Sequence, residues 1–148
     1  MSIIWHTYNW EGLSKKMLYE ALTLRSLVFV VEQNCVYQDL DSKDENGIHV
    51  LGYKQNLLVA YARVFPNAKP ASIGRVVIHP LFRGLGYGKH VMQKCIEQIP
   101  ENTTVHISAQ EHLKGFYESL GFSQTAAGYL EDGIPHIPMA TVANQPNV

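Results

Sequence analysis

Val76-Val77-Ile78-His79-Pro80-Leu81-Phe82-Arg83-Gly84-Leu85-Gly86-Tyr87-Gly88-Lys89 joins a strand, a turn and a helix start in fourteen residues. It begins as a β-branched strand, which Pro80 ends because proline cannot donate to a ladder. A glycine-rich turn follows, and then the first residues of an amphipathic helix. Glycines let a backbone take positive φ and approach a ligand closely. The free N–H groups that open the next helix favour an anion. A phosphate-bearing ligand is therefore expected, and spacing narrows which one. A mononucleotide loop needs G-x-x-x-x-G-K-[ST], but Arg83 stands at the first glycine and His90 follows Lys89. A dinucleotide loop needs G-x-G-x-x-G, and the two ways of placing it put Lys89 or Val91 at the third glycine.

Working outward, Ile3 to Tyr8 reads as a first strand. Ser14 can cap a helix running to about Val30, with Met17, Ala21, Leu24 and Val28 on its core face. His49 to Lys54 and Leu57 to Phe65 flank a Gln55-Asn56 turn and predict a hairpin. Ser72 to His79 is a strand of buried composition. The helix after the glycine turn extends to about Ile99, burying Val91, Met92, Cys95, Ile96 and Ile99. Val105 to Ala109 is a strand, and Leu113, Phe116, Tyr117 and Leu120 mark a short helix closed by Gly121. Strands over 124–130 and 134–142 are joined by Glu131-Asp132-Gly133, and the tail Ala143 to Val148 is expected to fray. The order β-α-β-β-β-α-β-α-β-β predicts a mixed α/β sheet rather than regular βαβ alternation.

Composition agrees with one soluble domain over residues 1–148. Hydrophobic residues make up 46% and charged residues 17%, and the formal net charge of -1 argues against a dedicated nucleic-acid binder. No apolar run approaches the ~20 residues of a membrane span, and the N-terminus lacks the basic region of a signal peptide. Cys35 and Cys95 form no CxxC pair and no disulfide framework, so a cytoplasmic location is the simplest expectation. No metal site is expected. The seven histidines are scattered, and Lys43 and Asp44 stand where a calcium loop needs a ligand and a glycine.

The turn Arg83-Gly84-Leu85-Gly86-Tyr87-Gly88 fits [RQ]-x-x-G-x-[GA]. With Val-x-Ile-x-Pro upstream and Gly115-Phe116-Tyr117-x-x-Leu120-Gly121-Phe122 downstream, it resembles the acetyl-CoA loop and Phe-Tyr segment of the GNAT superfamily of N-acetyltransferases. Arg25-x-x-Val28-Phe29-Val30-Val31-Glu32-Gln33, Tyr37-Gln38-Asp39-x-Asp41 and Gly133-Ile134-Pro135-His136-Ile137 extend the resemblance to its ElaA-type branch, over nearly the whole chain. The resemblance implies a mostly antiparallel seven-stranded sheet, flanked by helices and splayed between strands four and five. It implies that Val76, Val77 and Ile78 pair with pantetheine, and that a bulge near Val76 aims one N–H at the thioester. It also implies that Arg83, Gly84, Leu85, Gly86, Tyr87, Gly88 and Lys89 surround the pyrophosphate.

The activity so implied is acetyl transfer from acetyl-CoA to a primary amine, carried by a small molecule or a peptide, by direct attack on the thioester. The alternative is a CoA-binding regulatory module of the same fold that no longer turns over. An edge strand leaves a homodimer open; no nucleic-acid or membrane partner is expected. The chemistry sets tasks: a lysine-like amine of pKa about 10.4 must lose a proton, and a thiolate whose thiol has a pKa near ~8.5 must gain one. Tyr117 is the candidate acid, although by periodicity alone it reads as a core aromatic sharing a face with Leu113. Glu32, His49 and His136 are the candidate bases, each with a structural alternative as a satisfied hydrogen-bond partner. His79 reads as structural. In the acidic run, Asp39 and Asp41 are either part of a solvated loop or a site that attracts a cationic acceptor.

Overall fold

The computed structural model describes residues 2–143. The expected fraying of Ala143 to Val148 lies outside them, except at Ala143 itself. That residue is buried and pairs through its amide with the Thr103 carbonyl at 2.8 Å. Among the described residues eight strands form one sheet: β1 (Ile4–Asn9), β2 (Ile48–Lys54), β3 (Leu57–Phe65), β4 (Ala71–Ile78), β5 (Thr104–Gln110), β6 (Ser123–Gln124), β7 (Tyr129–Glu131) and β8 (Ile134–Val142). The order is β1-β2-β3-β4-β5-β8-β6, with β7 also on β8. Neighbours are antiparallel except β4 and β5, whose parallel ladder is limited to Ala71↔Val105 and Ser72↔His106. Beyond Ser72 the two strands part, as the splay between strands four and five requires.

The sixth expected strand, over 124–130, is divided in two. Ser123↔Ala140 and Gln124↔Met139 are followed by Tyr129↔His136, so four residues (125–128) oppose only Ile137 and Pro138. Pro135 and Pro138 lack the N–H that a continuous ladder would need. The Pro138 carbonyl still accepts from the Thr125 amide at 3.0 Å.

Sheet parity assigns a face to each helix. Ala21, Leu24 and Val28 of the first helix, α1 (Lys15–Arg25), and its continuation pack on Leu51, Tyr53, Tyr61 and Val77. On the opposite face, Val91, Met92 and Cys95 of α2 (Tyr87–Ile96) pack on Val50, Ala60, Ala62, Val64 and Ile73. Adjacent residues such as Val50 and Leu51 point to opposite faces, which is why β2 and β3 are apolar almost throughout. The Ser14 hydroxyl accepts from the Met17 amide at 3.1 Å, the cap expected for α1.

α1 does not run uniformly to Val30. From Ser26 to Glu32 it widens into a π-helical segment, with Gln33 N–H bonding the Val28 carbonyl and Cys35 N–H the Val30 carbonyl, both at 3.1 Å. The wider turn brings Val28, Phe29, Glu32 and Gln33 onto one side, above the gap between β4 and β5.

The acidic run is a structural knot rather than a solvated loop. Arg25, at the end of α1 and fully buried, reaches Asp39 at 2.8 Å and Asp44 at 2.7 Å. Arg63 on β3 reaches Asp41 at 2.7 Å and Asp44 at 2.9 Å. Burial alone would raise the Asp41 and Asp44 carboxyls, but the arginine hydrogen bonds and charges outweigh it and hold both below the usual range. Their stabilising contribution is present at neutral pH, begins to fall at the unfolded carboxylate range near ~4, and is lost as pH drops on through the depressed folded values. His49 adds in the same direction, because burial lowers its pKa and keeps the ring neutral. Its contribution fades as pH falls through about 6.5. Asp44→Asn should cost about 3–5 kcal/mol, since it strips Arg25 and Arg63 of a shared buried partner. It should also flatten the acid limb of stability. Urea unfolding of both proteins between neutral and acid pH measures this, and parallel pH curves would contradict it.

Candidate functional site

The parting of β4 and β5 opens a cleft of about 840 Å³. Its walls come from the π-helical segment, β4, the glycine turn, β5, the Phe-Tyr helix α3 (Lys114–Ser119) and the β7–β8 turn. Of the residues implied for the cofactor, Val76, Val77, Ile78, Arg83, Gly84, Gly86, Tyr87, Gly88 and Lys89 line it. Leu85 is not among its lining residues and is exposed at the tip of the turn.

The turn is shaped to approach a ligand. Gly84 and Gly86 have φ of +80° and +85°, and a Cβ at either would meet no atom within 4 Å. The concave side is open, and only glycine takes this backbone without strain. Gly86 is the N-cap of α2 and carries no side chain to satisfy the first amides of that helix. Those amides and the α2 dipole make an anion site at the cleft mouth, so the residues present fit a pyrophosphate. Gly88 serves packing instead. A Cβ there would stand 3.3 Å from the Phe116 ring, so the glycine turn and the Phe-Tyr segment touch at this point.

Beside the expected pantetheine path, β4 is bulged. Tyr61 pairs with Val77 and Arg63 with Gly74, so Arg75 and Val76 together oppose Ala62. This is the bulge expected near Val76. The residue at its corner is Arg75, in the left-handed region with φ +52°.

Tyr117 lines the cleft from α3, nearly buried, with its ring edge-on to Phe116 and Phe122 at 5.0 and 5.9 Å. Burial pushes its phenol up to about 12, so it stays protonated across the neutral range and is available as a proton donor. Tyr117 is thus both a core aromatic and a wall of the cleft.

Among the base candidates, His136 lines the cleft and His49 does not. His49 is fully buried, its Nε2 donating to the Asp44 carbonyl at 2.9 Å and its Nδ1 accepting from the Tyr61 hydroxyl at 2.7 Å. Both nitrogens are engaged, so this candidate for the site is corrected to a core hydrogen-bond partner. Asp39 and Asp41 are corrected on the same ground. Their carboxylates are neutralised by arginines and face the knot rather than the cleft.

Glu32 lines the cleft, but it is bidentate to Arg83, at 2.6 and 2.9 Å. The Arg83 guanidinium holds its carboxyl below the usual range, which makes it a poor proton acceptor. Glu32→Gln should therefore keep kcat within about threefold and leave the acetyl-CoA KM equal or lower, because it removes an anion from the cleft mouth and frees Arg83. Steady-state kinetics test this, and a fall in kcat of a hundredfold or more would restore Glu32 as the base.

His136 is oriented by its surroundings. Nδ1 lies 2.7 Å from the Ile134 carbonyl and so carries the proton, and Nε2 lies 3.4 Å from the Glu131 carboxylate. Tyr129 stacks on the ring at 6.2 Å, and its hydroxyl bonds Ser108 of β5. Taking a proton at Nε2 would turn the contact with Glu131 into an ion pair. Sequence reading missed Glu131, Asp132, Ser108 and Arg75 as cleft residues. Glu131 and Asp132 read as turn formers, while a charged residue among the valines of β4 was a usable signal for Arg75.

Among the described residues no group of three His, Cys, Asp or Glu could hold a metal, and no helix is long and apolar enough to cross a membrane. The family model described as an acetyltransferase (GNAT) domain matches residues 9–143. Protein ElaA of Escherichia coli strain K12 is 44% identical over 146 residues, 93% of this chain and 95% of that protein. The crystal structure of Escherichia coli ElaA matches with a TM-score of 0.86 at 43% identity, covering 93% of this chain and 98% of that one. An acyl-CoA N-acyltransferase from Pseudomonas aeruginosa matches with a TM-score of 0.88 at 38% identity, covering 94% and 99%. The agreement extends over nearly the whole chain, and the protein belongs to the GNAT acetyltransferase family.

Proposed function

We propose that the protein transfers an acetyl group from acetyl-CoA to a primary amine. The observation that carries this reading is the meeting, in one cleft, of an open anion-binding turn, a protonated, buried Tyr117 and the stretch of β4 that has parted from β5. Bound acetyl-CoA supplies the acyl group already activated as a thioester. The chain's own groups do the rest. The amides of the 83–88 turn hold the pyrophosphate, with Lys89 adding charge, and the main chain of Val76 and Ile78 aligns pantetheine as a short added strand. The Val76 N–H stabilises the developing oxyanion. Tyr117 donates a proton to the departing sulfur.

We assign proton removal to His136 rather than Glu32. Its Nε2 is the acceptor nitrogen, and Glu131 stabilises the imidazolium formed. Glu131 and Asp132 make the acceptor side of the cleft acidic, which suits the approach of a cationic amine before it loses its proton. The test is release of free thiol from acetyl-CoA across a panel of polyamines, amino acids and peptides, with the acetylated amine identified by mass. Amine-dependent thiol release is expected. CoA binding without thiol release for any amine would favour the regulatory module instead.

A further inference from the structure

The arginine–aspartate knot reaches the reacting end of the cleft through one residue, Arg75. Left-handed backbone is uncommon for a side-chain-bearing residue and persists only where the surroundings over-determine it. Gly74 stands next to it and would accept that conformation freely, yet the corner of the bulge is arginine, with φ +52°. Its guanidinium is held on several sides. Nε lies 2.8 Å from an Asp39 carboxylate oxygen, and Nη2 lies 2.9 Å from the Asp39 carbonyl and 3.3 Å from the Asp41 carboxylate. The two aspartates are fixed in turn by Arg25 and Arg63. On the main-chain side nothing comparable holds this segment. Arg75 and Val76 share a single opposite residue in β3, and the ladder to β5 ends at Ser72.

We infer that Asp39 and Asp41 are positioning residues for acyl transfer: they anchor the Arg75 side chain, Arg75 holds the bulge, and the bulge aims the Val76 main chain into the cleft. This rests on the acetyl-transfer reading above. It gives the corrected residues Asp39 and Asp41 a role at a distance instead of contact with the acceptor. The alternative is that the knot stabilises the fold and nothing more.

A double-mutant cycle separates the two. Arg75→Ala removes the anchor and keeps the strain, while the knot retains Arg25, Arg63 and all three aspartates. Its kcat should fall at least about tenfold, with the acetyl-CoA KM within about threefold. Arg75→Gly takes positive φ unaided and should keep at least about three times the kcat of Arg75→Ala. Asp39→Asn should then lower kcat strongly in the wild-type background and less than about twofold in the Arg75→Gly background. Asp41→Asn repeats the comparison with the Asp39–Arg25 pair intact.

A second readout needs no turnover. The Val76 amide resonance of the ligand-free protein should move in Arg75→Ala and stay near its wild-type position in Arg75→Gly. Equal kcat losses from Asp39→Asn in both backgrounds, or wild-type kcat and Val76 resonance in Arg75→Ala, would overturn the inference. If the wild-type protein turns over no amine, the acetyl-transfer reading falls, and the Val76 resonance alone decides whether Arg75 holds the bulge.

Discussion

Gly86→Glu is expected to weaken CoA binding by at least about a hundredfold, roughly 2.7 kcal/mol, while the protein stays folded. Two effects of the change act on different quantities. On the fold, the cost is the left-handed backbone, about 1–2 kcal/mol for a non-glycine residue, with no steric clash because a Cβ there meets nothing within 4 Å. A carboxylate at the N-cap of α2 is itself compatible with the helix dipole and offsets part of that cost. On the ligand, the same carboxylate occupies the anion site and repels the pyrophosphate. Gly86→Ala carries the backbone cost without the charge and should fall between the two. Calorimetric titration with CoA and a thermal melt read the two quantities separately. Retained binding in Gly86→Glu would show that the 83–88 turn is not the phosphate site.

Tyr117→Phe should lower kcat by about a hundredfold or more, with the acetyl-CoA KM within about threefold. Only the hydroxyl is lost. The ring keeps its edge-on contacts with Phe116 and Phe122, so stability should change by less than about 1 kcal/mol. Burial keeps the phenol protonated far above neutral pH, so the effect should hold across the neutral range rather than appear as a shifted pH optimum. Steady-state thiol release with the best amine measures it. A kcat within threefold of wild type would return Tyr117 to a packing role.

What was legible in the sequence is what local physics writes. Ser14, the Gln55-Asn56 turn and Gly121 mark element ends by capping and turn chemistry. The apolar spacing of Ala21, Leu24 and Val28 and of Val91, Met92 and Cys95 marks the two helix faces that the sheet buries. The cleft residues from Val76 to Lys89 were legible because strand, turn and helix start are contiguous in the chain.

The rest depended on partners distant in sequence. Arg25, Arg63 and Arg75 lie on three different elements, and only the folded chain brings them onto one acidic loop. Without them Asp39 and Asp41 read as free carboxylates. Glu32 and Arg83 are 51 positions apart and meet across the cleft mouth. His49 looked like a candidate base because nothing local reveals that Tyr61 and the Asp44 carbonyl take both of its nitrogens. The division of the strand expected over 124–130 was written in Pro135 and Pro138 of its partner, but its extent depends on how β8 pairs on both sides.

A crystal structure of the protein with CoA would locate the cofactor relative to the turn, β4 and Tyr117. The pyrophosphate is expected against the backbone amides of residues 83–88, pantetheine along Val76 to Ile78 in the gap between β4 and β5, and the sulfur beside Tyr117. CoA bound outside that gap, or a sulfur remote from Tyr117, would contradict the proposed function.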